Sequence, residues 1–155
     1  PEAFPNKKKK MKVPHKVVGA AVILNAKNQI LIAQRNPEKG MLAGLWEFPG
    51  GKIAEGETMP QCIARELKEE MGIAIEVGPH LVTVHHAYSH FTIELHAHFA
   101  RIRSGRPRHL ECAGHAWTTR DKFDDFPFSK ADLEIIRALR ALPDPPRLRD
   151  VFPKN

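Results

Sequence analysis

The sequence predicts a single α+β domain, in which β-strands and two helices follow one another along 155 residues. This length is enough for one well-buried core and too short for two. The apolar run 17–24 and the alternating apolar and polar residues of 91–99 are typical of strands. Apolar residues at every fourth position of 59–71 predict an amphipathic helix. One domain with one site is therefore expected.

The first part of the domain is predicted to contain three strands. Residues 17–24 are β-rich and apolar on both faces, and residues 29–34 form a second such run. The turn residues 25–28 separate the two runs, which predicts a central hairpin. Residues 35–45 contain one proline and two glycines and indicate a loop, and 46–51 predict a short strand with a glycine turn.

The helix that follows has signals at both ends. Thr58 is a suitable N-cap with Gln61 three residues later, which predicts a capping box. Pro60 is tolerated in a first turn, and Gly72 is a suitable C-cap. The apolar positions predict one buried stripe: Met59, Ile63, Leu67 and Met71.

The second half of the chain predicts three further strands and a final helix. Residues 73–84 are strand-like, and 91–99 form a half-buried strand. A short strand is expected around 116–118. The last helix is predicted over 130–142, with Ser129 as its N-cap.

These signals divide the chain into three parts. Residues 1–15 are polar, basic and proline-containing and predict a linker or tail, 16–143 form the domain, and 144–155 form a proline-rich, irregular tail. Part of the net charge of +6 lies in the run Lys7 to Lys10. Such a run is a solvated spacer or a nucleic-acid contact, and DNA contact through it stays open.

Composition excludes several classes of protein. The sequence has no apolar run of about 18 residues, so a membrane-spanning segment is not expected. Cys62 and Cys112 stand apart and form no CxxC pair, which favours a reducing cytoplasm over a disulfide or zinc framework. The chain begins with Pro1, which indicates trimming or excision from a longer protein.

The most informative residues are three carboxylates on the first helix. Glu66, Glu69 and Glu70 stand at i, i+3 and i+4, so they project from one helix face and are expected to share one small volume. Hard oxygen ligands of this kind select Mg²⁺ or Mn²⁺ together with substrate phosphate. Arg65 can restrain a carboxylate, and the Gly50-Gly51 turn permits close backbone approach. The alternative interpretation is a glutamate-rich solvent face.

The segment from Gly51 to Ile73 resembles the box that defines the Nudix hydrolases, GX5EX7REUXEEXGU, at every fixed position. Seven identities would coincide by chance on the order of once in 10⁸ placements, which disfavours the solvent-face interpretation. Residues 16–142 look like the branch that contains MutT-type 8-oxo-dGTP pyrophosphohydrolases and the C-terminal domain of MutY-type adenine DNA glycosylases. The resemblance implies an α/β/α sandwich around a mixed sheet.

The resemblance also implies roles for individual residues. It assigns a divalent cation, Mg²⁺ or Mn²⁺, to one carbonyl and three carboxylates: Gly50, Glu66, Glu69 and Glu70. Glu57 and Arg65 would support the loop and helix. Glu111 lies six residues before Trp117, like an acidic residue that joins the metal shell or acts as a base, or it is an ordinary loop acid.

Three further residues resemble substrate contacts of the family. Arg35 matches a position that touches phosphate or ribose. Phe48 matches one that packs on the base, with plain core packing as the alternative. Asp132 occupies the place of a base-reading Asn, or it completes a capping box with Ser129.

The sequence of one loop indicates recognition of DNA instead. Residues 86–90, His-Ala-Tyr-Ser-His, resemble the glycosylase loop in which a serine, here Ser89, helps to read 8-oxoguanine. A histidine metal site is disfavoured because His96 and His98 lie on the polar face of an ordinary strand.

The sequence therefore leaves two interpretations of the function. The first is metal-dependent hydrolysis of a nucleoside triphosphate, normal or oxidised as in 8-oxo-dGTP, to the monophosphate and pyrophosphate. The second is a glycosylase module that recognises 8-oxoguanine in DNA. Three carboxylates beside DNA phosphates would repel them, so the box favours hydrolysis.

Overall fold

The computed structural model describes residues 13–38 and 42–154. Within these two ranges, seven strands, three α-helices and a 3₁₀ helix follow one another: β1 (His15–Ile23), β2 (Ile30–Gln34), β3 (Trp46–Glu47), β4 (Gly50–Lys52), α1 (Met59–Met71), β5 (Ala74–Ala87), β6 (Thr92–Ser104), β7 (Gly114–Thr118), the 3₁₀ helix (Arg120–Asp125), α2 (Lys130–Ala141) and α3 (Leu148–Val151). No helix within the described part of the chain is both long and apolar enough to cross a bilayer.

The strands form two sheets. The four-stranded sheet has the order β4-β1-β6-β5, in which β1 and β6 run parallel and the other pairs run antiparallel. The three-stranded sheet, β3-β2-β7, is antiparallel. The α+β class and the mixed sheet expected from the resemblance are confirmed.

Strand β1 separates two hydrophobic cores. Ala21 and Ile23 pack with the buried side of α1, whereas Ala20 and Val22 pack with α2. Successive side chains of a strand point to opposite faces, so a strand between two helix layers must be apolar on both. This explains why the predicted strand 17–24 shows no polar alternation.

Helix α1 has the predicted ends. The Thr58 side chain accepts a hydrogen bond from the Gln61 amide, and the Gln61 side chain accepts one from the Thr58 amide, which completes the capping box. Gly72 ends the helix in the left-handed region at φ 68°, where a side chain would be strained. Ile63, Leu67 and Met71 are fully buried as predicted, and Met59 packs against the same core.

The predicted hairpin of the first two strands is wrong. Strands β1 and β2 lie in different sheets, joined by a single bridge between Leu24 and Ile30. Strand β1 pairs with β4 and β6 instead, whereas β2 pairs with β3 and β7. The turn itself forms, because the Asn25 carboxamide oxygen accepts the amides of Lys27 and Gln29.

The C-terminal residues are more ordered than the proline content predicts. Residues Leu148–Val151 form α3, and the Leu148 amide donates to the Asn28 side chain at 2.8 Å. The ring of Phe152 lies under the Arg101 guanidinium, 4.6 Å from it. The irregular tail predicted after Pro143 is therefore wrong over this stretch. The predicted linker with its lysine run lies almost wholly outside the described residues.

Candidate active site

Two adjoining cavities lie beside the four-stranded sheet and share Arg35 and Glu47 in their walls. The larger, about 380 Å³, is bounded by the first half of β1, by β4, by the start of β6 and by the N-terminal turn of α2. The smaller, about 170 Å³, is lined by six residues: Arg35, Asn36, Glu47, Glu70, Glu111 and Cys112. The larger cavity has room for part of a nucleotide, and the smaller one is acidic.

Arg65 organises the carboxylates of α1. Its guanidinium forms a bidentate pair with Glu57, with Nε 2.5 Å from Oε2 and Nη2 3.0 Å from Oε1. Nη1 also donates to Glu66 and Glu69, at 3.0 Å each, and Nη2 donates to the carbonyl of Lys52. The hydrogen bonds from Arg65 hold the pKa of Glu57 below its usual range. Arg65 therefore ties the loop before α1 to the carboxylate face of the helix.

Glu66 lies against the glycine turn. Its carboxylate occupies the space in which a side chain on Gly51 would stand, so only glycine permits this approach. Partial burial raises the pKa of Glu66 against the opposing effect of Arg65. At Gly50 a side chain would overlap the carbonyl of Gly19 on β1.

Glu70 is the most unusual carboxylate of the helix. It is only 9% exposed, and among the described residues its Oε1 atom has no hydrogen-bond donor. Burial raises its pKa well above the ordinary value, and the charges of Glu47, Glu66 and Glu111 raise it further. Burial of an ionised carboxylate without a hydrogen-bond partner costs free energy, so a bound cation or a proton would stabilise this oxygen atom.

Glu111 reaches the same cavity from a loop between β6 and β7. Its backbone amide and that of Leu110 donate to the carbonyl of Glu70, at 3.2 and 3.1 Å. Both carboxylates line the smaller cavity. Glu111 therefore lies in the same cavity as Glu70, although the two residues are 41 positions apart in the sequence.

The three carboxylates expected to share one small volume do not all line the cavities: Glu70 lines the smaller one, whereas Glu66 and Glu69 line neither. Within residues 13–38 and 42–154, no three carboxylate, histidine or cysteine groups converge as a ready-made metal site. Arg65 holds Glu66 and the exposed Glu69, whereas Glu70 turns into the cavity. The donor set nevertheless fits a hard divalent cation, because it consists of carboxylates and includes an unpartnered buried oxygen.

Arg35 is paired with a residue that the sequence analysis did not select. Arg35 Nη1 donates to Glu47 Oε1 at 3.2 Å. Burial raises the pKa of Glu47 to about 7, and the charge of Asp132 adds to the shift against the lowering effect of Arg35. The available signal was an acidic residue between Trp46 and Phe48 in a predicted strand.

Asp132 lies in the wall of the larger cavity and is connected to β3 and β4. Its Oδ1 accepts the amide of Phe48 at 3.2 Å, and its Oδ2 accepts the hydroxyl of Ser129 at 2.6 Å. The capping-box alternative is not formed, because Ser129, although at the N-cap position, gives no side-chain cap hydrogen bond. Burial raises the pKa of Asp132 to about 6 against the lowering effect of these hydrogen bonds.

Phe48 packs in the core and also lines the larger cavity, and its contact with a base stays a prediction. Its ring packs against Phe123 and Phe128, with ring centroids 5.7 Å away in each case, and it is 3% exposed. It also lines the larger cavity together with Phe91. Lys16 lies in the same wall, 4.2 Å above the Phe91 ring, and the sequence analysis had not selected either residue.

Ser89 is not brought to the cavities. It is exposed in the turn between β5 and β6, and it is absent from the walls of both cavities. Its neighbour Tyr88 points inward instead, where its hydroxyl accepts the Ala131 amide at 2.9 Å in the first turn of α2. The structure therefore separates Ser89 from the other predicted substrate residues.

Comparison with known proteins identifies the family that this chain resembles. The model of the NUDIX domain family matches residues 19–138, which include the whole carboxylate cluster. The CTP pyrophosphohydrolase of Escherichia coli strain K12 is 34% identical over 122 residues, 79% of this chain and 90% of that protein. The 8-oxo-dGTP diphosphatase of Buchnera aphidicola subsp. Schizaphis graminum is 31% identical over 132 residues, 85% of this chain and 97% of that protein. The crystal structure of a MutT NUDIX hydrolase from Burkholderia pseudomallei superposes with a TM-score of 0.68 at 27% identity, over 81% of this chain and 98% of that chain.

Proposed function

The chain belongs to the Nudix family of hydrolases, and we propose that it cleaves the phosphate chain of a nucleoside triphosphate with the help of Mg²⁺ or Mn²⁺. The products are the nucleoside monophosphate and pyrophosphate. The observation that carries the proposal is the buried, unpartnered Oε1 atom of Glu70 in a cavity that it shares with Glu111 and Arg35. Carboxylates and a guanidinium in one small cavity suit a cation and a phosphate chain together.

The residues that would hold the cation are the carboxylates around this cavity. The nearest candidates are Glu66, Glu70 and Glu111. The charges of Glu66 and Glu111 raise the pKa of Glu70, and Glu70 and Glu111 line one cavity. Glu69 and the carbonyl of Gly50 complete the proposed set. When bound, the cation supplies Lewis-acid chemistry that offsets the negative charge of the phosphates.

The protein's own groups would then position the substrate and move a proton. Arg35, at the boundary of the two cavities, is placed to donate to a phosphate oxygen. A glutamate of the smaller cavity accepts a proton from a water molecule, whose oxygen forms a bond to an internal phosphorus as the bridging P–O bond breaks. A carboxylate whose pKa is raised toward neutrality is suited to accept this proton.

The larger cavity would hold the nucleoside. Asp132 and Glu47 present carboxyl groups to it, whereas Phe48 and Phe91 present aromatic surface. A carboxylate accepts hydrogen bonds, and a protonated carboxyl also donates one. Because the pKa values of Glu47 and Asp132 are raised to about 7 and about 6, the base ranking should depend on which of the two is ionised.

A screen of nucleoside triphosphates tests the proposal. The common ribo- and deoxyribonucleotides and 8-oxo-dGTP are incubated with the protein and Mg²⁺, and pyrophosphate and orthophosphate are measured separately. We expect pyrophosphate and the monophosphate, and we expect Glu70→Gln to abolish both. CTP and 8-oxo-dGTP are included because they are the substrates in the names of similar proteins. Orthophosphate with a diphosphate product, or no hydrolysis at all, would contradict the proposal.

A further inference from the structure

We propose that His109 and His115 form a clasp that holds the loop carrying Glu111 against helix α1. The loop, residues 105–113, is called the cavity loop below. Both histidines are inferred to be positioning residues, which act on the cation site only through Glu111. This inference rests on the proposed function, because that function gives Glu111 its role as a cation ligand.

The cavity loop contacts α1 mainly through its backbone. The amides of Leu110 and Glu111 share one acceptor, the carbonyl of Glu70. The amide of Arg108 donates to the carbonyl of Met71 at 2.9 Å. These bonds set the distance between the backbone of Glu111 and the last turn of α1. The amide of Ala113 ties the end of the loop to β2, where it donates to the carbonyl of Gln34 at 2.9 Å. Between these attachments the amides of Leu110 and Glu111 share one acceptor, so they hold the backbone less firmly than two separate acceptors would.

Burial restrains only the end of the loop. Cys112 is buried in the core with α1, whereas no side chain from 105 to 111 is buried and Leu110 is 51% exposed. The side chain of Glu111 faces that of Glu70, since both line the smaller cavity. Contacts other than burial must therefore hold residues 109–111 beside the helix.

The two histidines provide such a restraint. Nε2 of His109 lies 2.8 Å from Nδ1 of His115, and the ring centroids are 5.0 Å apart. One ring nitrogen donates and the other accepts, which neutral imidazoles permit. His115 belongs to β7 and is held in register opposite Ala33 of β2. The bond therefore closes a ring around residues 110–114 and anchors the segment with Glu111 to a fixed strand.

Cation binding to the protein alone tests the clasp. The protein is freed of metal with a chelator and titrated with Mn²⁺, followed by the electron paramagnetic resonance of the free ion. We expect His109→Ala and His115→Ala to weaken Mn²⁺ binding about two- to tenfold, the range for loss of one hydrogen bond. His115→Asn keeps a polar atom near the place of Nδ1 and should restore most of the affinity.

The matched control is His80→Ala. His80 is also exposed and also forms one side-chain hydrogen bond, from its Nε2 to the Thr83 hydroxyl at 2.8 Å, but it contacts neither cavity. Its removal should leave Mn²⁺ affinity unchanged. The double variant His115→Ala with Glu111→Gln should bind Mn²⁺ no more weakly than Glu111→Gln alone, because the clasp acts through Glu111.

Amide hydrogen exchange provides a readout that needs no metal. The amides of Leu110 and Glu111 should exchange faster in His115→Ala than in the parent chain, by the same two- to tenfold factor. Unchanged exchange at these amides, or an additive loss of Mn²⁺ affinity in the double variant, would overturn the clasp. Normal Mn²⁺ affinity of a Glu111→Gln variant would also overturn the clasp. The proposed function would then still be tested separately by the pyrophosphate assay. A Glu111-dependent loss in a protein that hydrolyses no nucleotide would support the clasp and contradict the proposed function.

Discussion

The carboxylate of Glu66 stands where a side chain on Gly51 would lie. Strand β4 and helix α1 approach each other closely at this point, and the glycine leaves the space that the carboxylate fills. Glu66 also accepts a hydrogen bond from Arg65 at 3.0 Å, so it is held from two sides. A site that depends on such a fit should be sensitive to a single methyl group.

Gly51→Ala should therefore displace Glu66 and weaken cation binding. We expect Mn²⁺ affinity to fall about ten- to hundredfold, as when a group that orients a metal ligand is removed. Gly114→Ala is the matched control, because a side chain there would meet only the Gln34 Oε1 atom, at an ordinary 3.9 Å. Equal Mn²⁺ affinities for the two variants in a titration would show that the Gly51 contact is unimportant.

Glu70→Gln should lower turnover by orders of magnitude and leave the fold intact. Removal of a buried charge that lacks a partner also removes a destabilising contribution, so the melting temperature in the presence of a chelator should rise. Glu69→Gln should likewise lower turnover strongly. The melting temperature of this variant should change little, because Glu69 is exposed and paired with Arg65.

The comparison for both variants is Glu134→Gln, which removes an exposed carboxylate paired with Arg137 on α2. Turnover at saturating Mg²⁺ and thermal unfolding are measured for all three proteins. Near-normal turnover of Glu70→Gln would show that its carboxylate is not a cation ligand. A lowered melting temperature would show that the ionised Glu70 stabilises the fold instead.

Asp132→Asn should change the ranking of nucleotides more than the rate with the best one. Asparagine has nearly the same shape, and its amide oxygen can still accept the Phe48 amide, while its NH₂ group can donate to the Ser129 hydroxyl. The substitution thus exchanges an acceptor for a donor at the cavity wall. Values of kcat/KM are compared across the nucleotide set. An unchanged ranking would remove Asp132 from base recognition.

The same pair of proteins gives a prediction of pH-dependent stability. Burial raises the pKa of Asp132 from 3.8 to about 6, so between these values the folded protein keeps a proton that the unfolded chain releases. The free energy of unfolding should therefore fall as pH rises through this window, by on the order of 2 kcal/mol. Asp132→Asn should lack this loss, so its stability relative to the parent chain should increase from pH 4 to pH 7. Urea unfolding of both proteins measures this difference in stability. An equal difference at pH 4 and at pH 7 would contradict the raised pKa of Asp132.

Ser89 should have no part in recognising DNA damage. It is exposed and outside both cavities, so we expect the chain to bind duplex DNA with 8-oxoguanine opposite adenine no better than undamaged duplex. Residual binding should fall steeply with salt, disappear when residues 1–12 are removed, and be unaffected by Ser89→Ala. A lesion preference in direct titrations that depends on Ser89 would favour the glycosylase alternative.

The features that the sequence by itself determined depend on residues close together in the chain. The capping box of Thr58 and Gln61 and the C-cap at Gly72 involve neighbours within one turn, and helical periodicity alone places Glu66 and Glu70 on α1. These interactions have the same partners in any fold that contains the helix. Local signals were therefore sufficient to predict the helix, and the resemblance of residues 51–73 to the Nudix box was sufficient to predict the family.

Tertiary structure alone decided which strands pair and which acids meet. The parallel pairing of β1 with β6 joins residues 77 positions apart, such as Val18 and Leu95, whereas β2 pairs in the other sheet. The amide of Phe48 meets Asp132 across 84 residues, and Glu47 meets Arg35 across a loop. Burial, and with it the pKa of a carboxyl, depends on every element packed around it. A sequence pattern specifies the local geometry of a side chain, whereas the solvent and charge around it are properties of the whole fold.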